Sequence, residues 1–150
     1  MYKRQGSGSA SDPSLICNAE QLQKINANLN GHYELGFNID ASETLSWTTE
    51  PSSGTGFIPI GNCGPDNICG SGGDDEPFTG SFNGNGYTID GLFSNRTKDA
   101  VGFFGTTSRQ SVITNFRMTN ANITGGGGTS CTGGIAVSYT HLTLPTICSV

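Results

Sequence analysis

The sequence predicts an all-β protein in which short strands repeat and stack. Glycine turns separate three β-type phrases, which are FTGSFNGNGYTIDGLF at 78–93, VGFFG at 101–105 and VITNFRM at 112–118. Similar phrases then return along the chain. Ile113 follows Ile89 by 24 residues, and GFFG at 102–105 has a shorter echo in GGIA at 133–136. Self-similarity without a helical period is typical of stacked units, none of which can bury its apolar side alone.

The order of these phrases resembles the GLUG-motif repeats of bacterial surface proteins, including adhesins similar to filamentous haemagglutinin. The segment LICNAEQLQKINANLNGHYELGFNIDAS at 15–42 is similar to the lead-in that precedes the first such repeat. The resemblance covers roughly residues 12–136. It implies a right-handed parallel β-helix, or solenoid, in an exported bacterial protein.

Four segments are expected. Residues 1–14 are interpreted as an adapter-like tail and flexible linker, 15–31 as a capping helix segment, and 32–136 as the truncated β-helix repeat region. Residues 137–150 form a second tail, because glycine disappears after Ala136. MYKRQ and VSYTHLTLPTICSV at the two ends resemble translated sequencing-adapter sequence, so both tails are left out of the fold prediction.

A short helix is predicted near the N-terminus. Asn18 is placed to cap it, with Gln21 three residues later in a capping-box pattern. Gly31 is expected to end it as a C-terminal cap. The helix presents one apolar stripe that we expect to cover an end of the stack, and the stripe consists of Leu22, Ile25 and Leu29.

Period-two alternation predicts the strands and their inward faces. One strand is expected over 33–39, with Tyr33, Leu35, Phe37 and Ile39 on its inner face. Phe57, Ile58 and Ile60 suggest another strand, which Pro59 makes an edge or a bend, and Phe78 and Phe82 flank Gly80 at period two. The side chains expected to face inward in one column are Phe82, Ile89, Leu92, Phe103, Ile113, Phe116 and Met118. Asn115, Arg117 and Thr119 are expected to point outward. Asn115, Asn120 and Asn122 near strand ends either bond turn backbone or are solvated.

The cysteines suggest one local disulfide. Cys63 and Cys69 enclose Gly-Pro-Asp-Asn-Ile, a turn-rich loop that a disulfide would close. Free thiols are the alternative, and zinc is disfavoured because C-x5-C lacks the usual ligand spacing. Cys17 and Cys131 either pair or remain free.

Few residues stand out as functional. Trp47 is the ligand-contact candidate, since aromatic rings stack on sugars and anchor interfaces, although packing against the first repeat is the favoured interpretation. His32 is interpreted as an exposed polar residue. The acidic run at 74–76 is favoured as a solvated loop over a calcium site, because it lacks alternating carboxylates. We expect no catalytic residues, no metal and no cofactor.

Composition points to an exported protein. The 150 residues include 23 glycines, only 13% are charged, and the net charge is −5. Nucleic-acid binding is disfavoured, because it needs clustered Lys and Arg, and no apolar run is long enough for a membrane-spanning helix. The expected location is extracellular or at the bacterial cell surface.

The expected function is a non-catalytic, elongated scaffold for adhesion or ligand display. Its expected partners are a host or matrix protein, a glycan, and further repeats of the parent chain. One alternative is an accessory repeat module of a large secreted protease. Another is a polysaccharide-acting β-helix enzyme, which needs an acidic cluster and a cation on one outer face. The sequence offers Asp90 and Arg117 for that role.

Overall fold

A computed structural model describes residues 5–48, 54–65, 69, 73–97 and 100–125, together with the backbone of 136–139. The predicted all-β class is confirmed. The strands are β1 (Ser14–Ile16), β2 (His32–Leu35), β3 (Ile39–Asp40), β4 (Gly54–Gly56), β5 (Ser81–Asn83), β6 (Thr88–Asp90), β7 (Phe93–Arg96), β8 (Phe104–Thr107), β9 (Val112–Thr114), β10 (Arg117–Thr119), β11 (Asn122–Gly125) and β12 (Ala136–Tyr139). One α-helix, α1 (Ala19–Lys24), continues into a 3-10 helix at Ile25–Ala27, and a second 3-10 helix spans Ser42–Ser46.

Four sheets form, with strand orders β1-β2-β5-β9, β10-β6-β3, β11-β7-β4 and β12-β8. Strands β5 to β8 pair in order with β9 to β12, and all four pairings are parallel. Paired residues are 29 positions apart at Thr88 and Arg117, and 32 apart at Phe104 and Ala136. The sequence-derived spacing of 24 residues is therefore wrong. Ile89 pairs with Met118, whereas Ile113 pairs with Phe82.

Columns of inward side chains form the core. Tyr33, Phe82 and Ile113 occupy one register position on three neighbouring strands. Phe82 is fully buried, and its ring contacts those of Phe103 and Phe104 at centroid distances of 5.6 and 5.8 Å. The predicted inward column is buried in a single cluster at Phe82, Ile89, Leu92, Phe103 and Ile113. The same cluster also contains Phe57, Ile60 and Phe78.

The expected single strand over 33–39 is instead two strands in different sheets. The chain bends at Gly36, whose backbone N–H donates to the Ile16 carbonyl at 2.9 Å. The bend ends the alternation, so Phe37 turns outward with 53% of its surface exposed. Tyr33, Leu35 and Ile39 are buried as predicted.

The helix prediction is confirmed at its start and wrong at its end. The Asn18 side chain accepts a hydrogen bond from the Gln21 backbone N–H at 2.8 Å. Leu22 and Ile25 are buried in the core cluster, and Leu29 packs against it. Gly31 is not the C-terminal cap, because the chain tightens into the 3-10 turn and that turn ends at Asn28.

The corners between strands use asparagine as well as glycine. Asn85, Asn115 and Asn120 all have positive φ, between 50 and 56°, a conformation that asparagine tolerates better than most residues. Their side chains also bond between stacked corners. The Asn115 amide donates to Asn83 at 3.4 Å, and the Asn85 amide donates to the Leu35 carbonyl at 3.0 Å. These asparagines are thus bonded within the stack.

One strand departs from the parallel arrangement. β4 runs antiparallel to β7, with Thr55 opposite Asn95. Its glycines, Gly54 and Gly56, have φ of 122 and 83°, so they can reverse the chain where other residues would be strained. The buried Arg96 side chain donates to the Gly56 and Phe57 carbonyls and holds this segment in place.

The ends of the chain hold more structure than the sequence predicts. Residues 6–14 are not a free linker. Asp12 accepts from the Ser7 N–H at 2.9 Å, and the His32 N–H donates to the Gly8 carbonyl at 3.0 Å. At the other end β12 pairs with β8 as far as Tyr139, three residues beyond the expected boundary. Backbone pairing accounts for this extension, because it needs β-compatible residues and no particular side chains.

Candidate functional site

The ligand-contact candidate Trp47 lies beside α1. It follows directly after the 3-10 helix Ser42–Ser46, and its ring is half-buried against the core cluster. An open groove of about 440 Å³ separates it from the helix. The residues that line the groove are Glu20, Gln23, Lys24, Trp47 and Thr48.

Backbone hydrogen bonds hold Trp47 on both sides. Its N–H donates to the Thr44 carbonyl at 3.2 Å, and its own carbonyl accepts from the Gly56 N–H at 2.8 Å. The Thr44 hydroxyl donates to the Ala41 carbonyl at 2.7 Å and fixes the preceding turn. The segment that carries Trp47 is therefore held in place by backbone hydrogen bonds.

The helical wall of the groove is fastened to the fold by amide side chains. Gln23 bonds both backbone groups of Ile58, at 2.8 and 3.0 Å. One turn later, Asn26 accepts from the Gly61 N–H at 3.0 Å and donates to the Pro59 carbonyl at 3.1 Å. Glu20 and Lys24 remain exposed on the helix surface. Sequence reasoning missed these two residues, whose only sequence signal is their spacing of four on a helix.

Cys63 and Cys69 are joined by a disulfide, with their Cα atoms 4.5 Å apart. The side chain of Cys63 is buried and packs against Ala100. Cys17 has a free, partly buried thiol. Cys131, its suggested partner, lies outside the described residues.

The structure brings Arg117 and Asp90 to one outer face. They lie on the paired strands β10 and β6, two register positions apart, while Met118 and Ile89 point inward. Asp40 stands beside Asp90 on β3. Hydrogen bonds from Ser42 lower the pKa of the Asp40 carboxyl, and Thr119 and Asn120 donate to Asp90. Two carboxylates and a cation thus share this face, with both carboxylates already bonded.

The remaining polar candidates have structural partners. His32 Nδ1 and the Ser81 hydroxyl lie 2.8 Å apart across β2 and β5. Glu76, in the acidic run, accepts from the Asn62 amide at 2.9 Å. Within the described ranges, no three His, Cys, Asp or Glu side chains lie close enough together to hold a metal ion. Among the same residues, no helix is long and apolar enough to cross a membrane.

The fold and these sites define a segment of stacked, mainly parallel β-strands. In sequence the chain is similar to halomucin from Haloquadratum walsbyi, with 38% identity over 126 residues. It is also similar, with 33% identity over 122 residues, to a protein of Evansella cellulosilytica named "Putative Gly-rich membrane protein". These matches span 80% and 79% of the chain but only 1% and 12% of the relatives' lengths. No family model and no solved structure matches the chain.

Proposed function

We propose that this chain is a segment of a right-handed parallel β-helix in a cell-surface or secreted protein, where it acts as a non-catalytic scaffold for adhesion or ligand display. The observation that carries the proposal is the one-to-one pairing of β5–β8 with β9–β12. Each new unit adds a strand to every sheet, so the assembly lengthens by about 4.8 Å per unit while its cross-section stays constant. Crossover connections between parallel strands are right-handed in about 98% of cases, which supports the handedness.

The edge formed by the last unit supports further repeats in the parent protein. Among the strands that the structure describes, β9, β10, β11 and β12 are each terminal in their sheets. Phe116, Met118 and Ile123, in or beside them, are only half-buried although they pack against the core. A following unit would cover these side chains and pair the open edges. The much greater length of both relatives is consistent with this arrangement.

Three observations support a place at the cell surface. One relative carries the name halomucin and the other is named as a membrane protein. The disulfide between Cys63 and Cys69 suits an oxidising compartment. The phrases at 78–93 and 101–105 resemble GLUG repeats, and we propose that this repeat region is of that kind.

Antibody labelling tests the location. Antibodies against the purified chain should label intact cells that produce the full-length gene product, and external protease should remove the label. Labelling that appears only after permeabilisation would contradict a surface location.

Small-angle X-ray scattering tests the scaffold. A chain extended by two further copies of residues 81–111, the unit that carries β5–β8, inserted before β9, should gain length without gaining cross-section. Growth in all dimensions would refute the linear stack.

The polysaccharide-acting alternative rests on Asp40, Asp90 and Arg117. It predicts new reducing ends or unsaturated products from a panel of plant and bacterial polysaccharides, and it predicts that Asp90→Asn abolishes them. The scaffold proposal predicts no product from any substrate. Product that forms with the wild type but not with Asp90→Asn would therefore contradict the scaffold proposal and support an enzyme.

A further inference from the structure

We propose that the groove between α1 and Trp47 binds a neutral glycan, with one sugar ring against the Trp47 indole and its hydroxyls bonded to Glu20 and Lys24. The inference names a ligand class for the scaffold and rests on that proposed function only for its biological setting. The binding itself depends on the geometry of the groove.

Trp47 provides the apolar platform. Its indole is half-buried against the core, and its backbone is tied to Thr44 and Gly56. A ring fixed in this way loses little conformational freedom when a ligand stacks on it, which favours affinity. The flat faces of pyranose rings carry C–H groups that suit an aromatic surface, because the π face is electron-rich.

Glu20 and Lys24 provide the polar rim. They are four residues apart on α1, and both are exposed, so their side chains lie on the same face of the helix. The carboxylate accepts hydrogen bonds and the ammonium donates them. Sugar hydroxyls do both. An anionic ligand would be repelled by Glu20 and a cationic ligand by Lys24, whereas a neutral sugar can form hydrogen bonds with both.

Gln23 gives the rim its rigidity. Its amide is occupied by both backbone groups of Ile58, so it holds the helix in place instead of reaching into the groove. Thr48 adds an exposed hydroxyl on the opposite wall. The polar groups therefore converge on the platform from two sides, an arrangement common in ligand sites.

The size of the groove suits a small ligand. Its volume of about 440 Å³ is within the range of small-ligand sites, roughly 300–1,000 Å³. One or two sugar units of a longer chain can occupy the groove while the rest remains in solvent.

Trp47 is the only tryptophan in the chain, so its fluorescence reports on this groove directly. Cellohexaose, chitohexaose and mannohexaose are titrated into the full chain, and calorimetry repeats each titration. We expect at least one of them to give a saturable fluorescence change, with a dissociation constant on the order of 1 mM or below. Glu20→Gln and Lys24→Met, which change exposed residues, should each weaken that binding at least tenfold.

Arg109→Met is the matched control, because it removes an exposed cation that does not line the groove and should leave binding unchanged. Circular dichroism confirms that each variant is folded. No saturable change with any of the three sugars would overturn the proposal, and so would equal affinity in wild type, Glu20→Gln and Lys24→Met. Binding of a matrix protein that no sugar displaces would also overturn it in favour of a protein site. None of these results affects the scattering test of the scaffold.

Discussion

The side-chain amide of Gln23 pairs with Ile58 as a neighbouring strand would, accepting from its N–H at 2.8 Å and donating to its carbonyl at 3.0 Å. Ile58 lies between β4 and the isolated bridge that Ile60 makes with Phe104. The helix thus satisfies a backbone edge that would otherwise need another strand. An edge covered in this way is protected from unwanted pairing.

We expect Gln23→Ala to lower the free energy of unfolding by about 1–3 kcal/mol, because it leaves the partly buried Ile58 N–H without its partner. The Ile58 carbonyl would keep only the longer hydrogen bond from Asn26, at 3.4 Å. Gln110→Ala is the control, since Gln110 is exposed and only its backbone N–H is bonded, to Ser108. Urea denaturation of both variants measures the difference. Equal midpoints would show that the Gln23 amide does not stabilise the fold.

Gly80 is required where two stacked segments meet. A Cβ there would overlap the Gly31 carbonyl oxygen, and this is backbone that cannot move aside. We expect Gly80→Ala to cost at least about 2 kcal/mol, in the range of overpacked cores. At Gly73 a Cβ would meet nothing within 4 Å, so Gly73→Ala should be nearly neutral. Comparable thermal midpoints for the two variants would contradict the packing at Gly80.

Substitution by alanine should lower stability most at Phe82, less at Phe116 and least at Arg117. Phe82→Ala should cost about 3–5 kcal/mol as a core cavity. The ring of Phe116 contacts that of Phe82, with centroids 5.3 Å apart, but Phe116 is only half-buried, so Phe116→Ala should cost less than Phe82→Ala. Arg117→Ala should cost about 0–1 kcal/mol, because its side chain is exposed. Denaturant titration measures all three, and the reverse order would contradict the inward assignment of Phe82.

The disulfide between Cys63 and Cys69 should form in protein made in an oxidising compartment. Peptide mapping without reduction should recover the two cysteines in one linked fragment. Replacing both by serine should cost about 2 kcal/mol, near the low end for disulfides, because the closed loop is short. Recovery of both cysteines as free thiols would contradict this disulfide.

Tyr33 should make the stability sensitive to alkaline pH. Burial raises the pKa of its phenol, and the neutral hydroxyl donates to the Asn28 carbonyl at 2.7 Å. Folding therefore favours the protonated form. The contribution of the Tyr33 phenol to folding stability is fully present below its unfolded pKa of about 10. It is lost as the pH rises through the higher pKa of the folded protein. Between pH 9 and 11.5, wild type should lose more stability than Tyr33→Phe, and parallel curves for the two proteins would refute this linkage.

Short-range patterns in the sequence were enough to predict the local features of the protein. Alternation placed Tyr33, Leu35 and Ile39 inside, and the Asn18 cap followed from residue types at short spacing. The all-β class followed from the same short-range patterns. Such features depend on neighbours within a few residues, and those neighbours can be read directly.

Features that depend on stacking could be seen only in the folded protein. Pairing between distant segments sets the register of Ile89 with Met118, the reversal at β4 and the outward turn of Phe37. Short repeats with several glycines allow many registers, because a slip changes few local preferences. The groove at Trp47 also depends on contacts between distant segments. Its two walls are separated in sequence, and they meet because the helix packs in the core cluster and Gln23 bonds to Ile58.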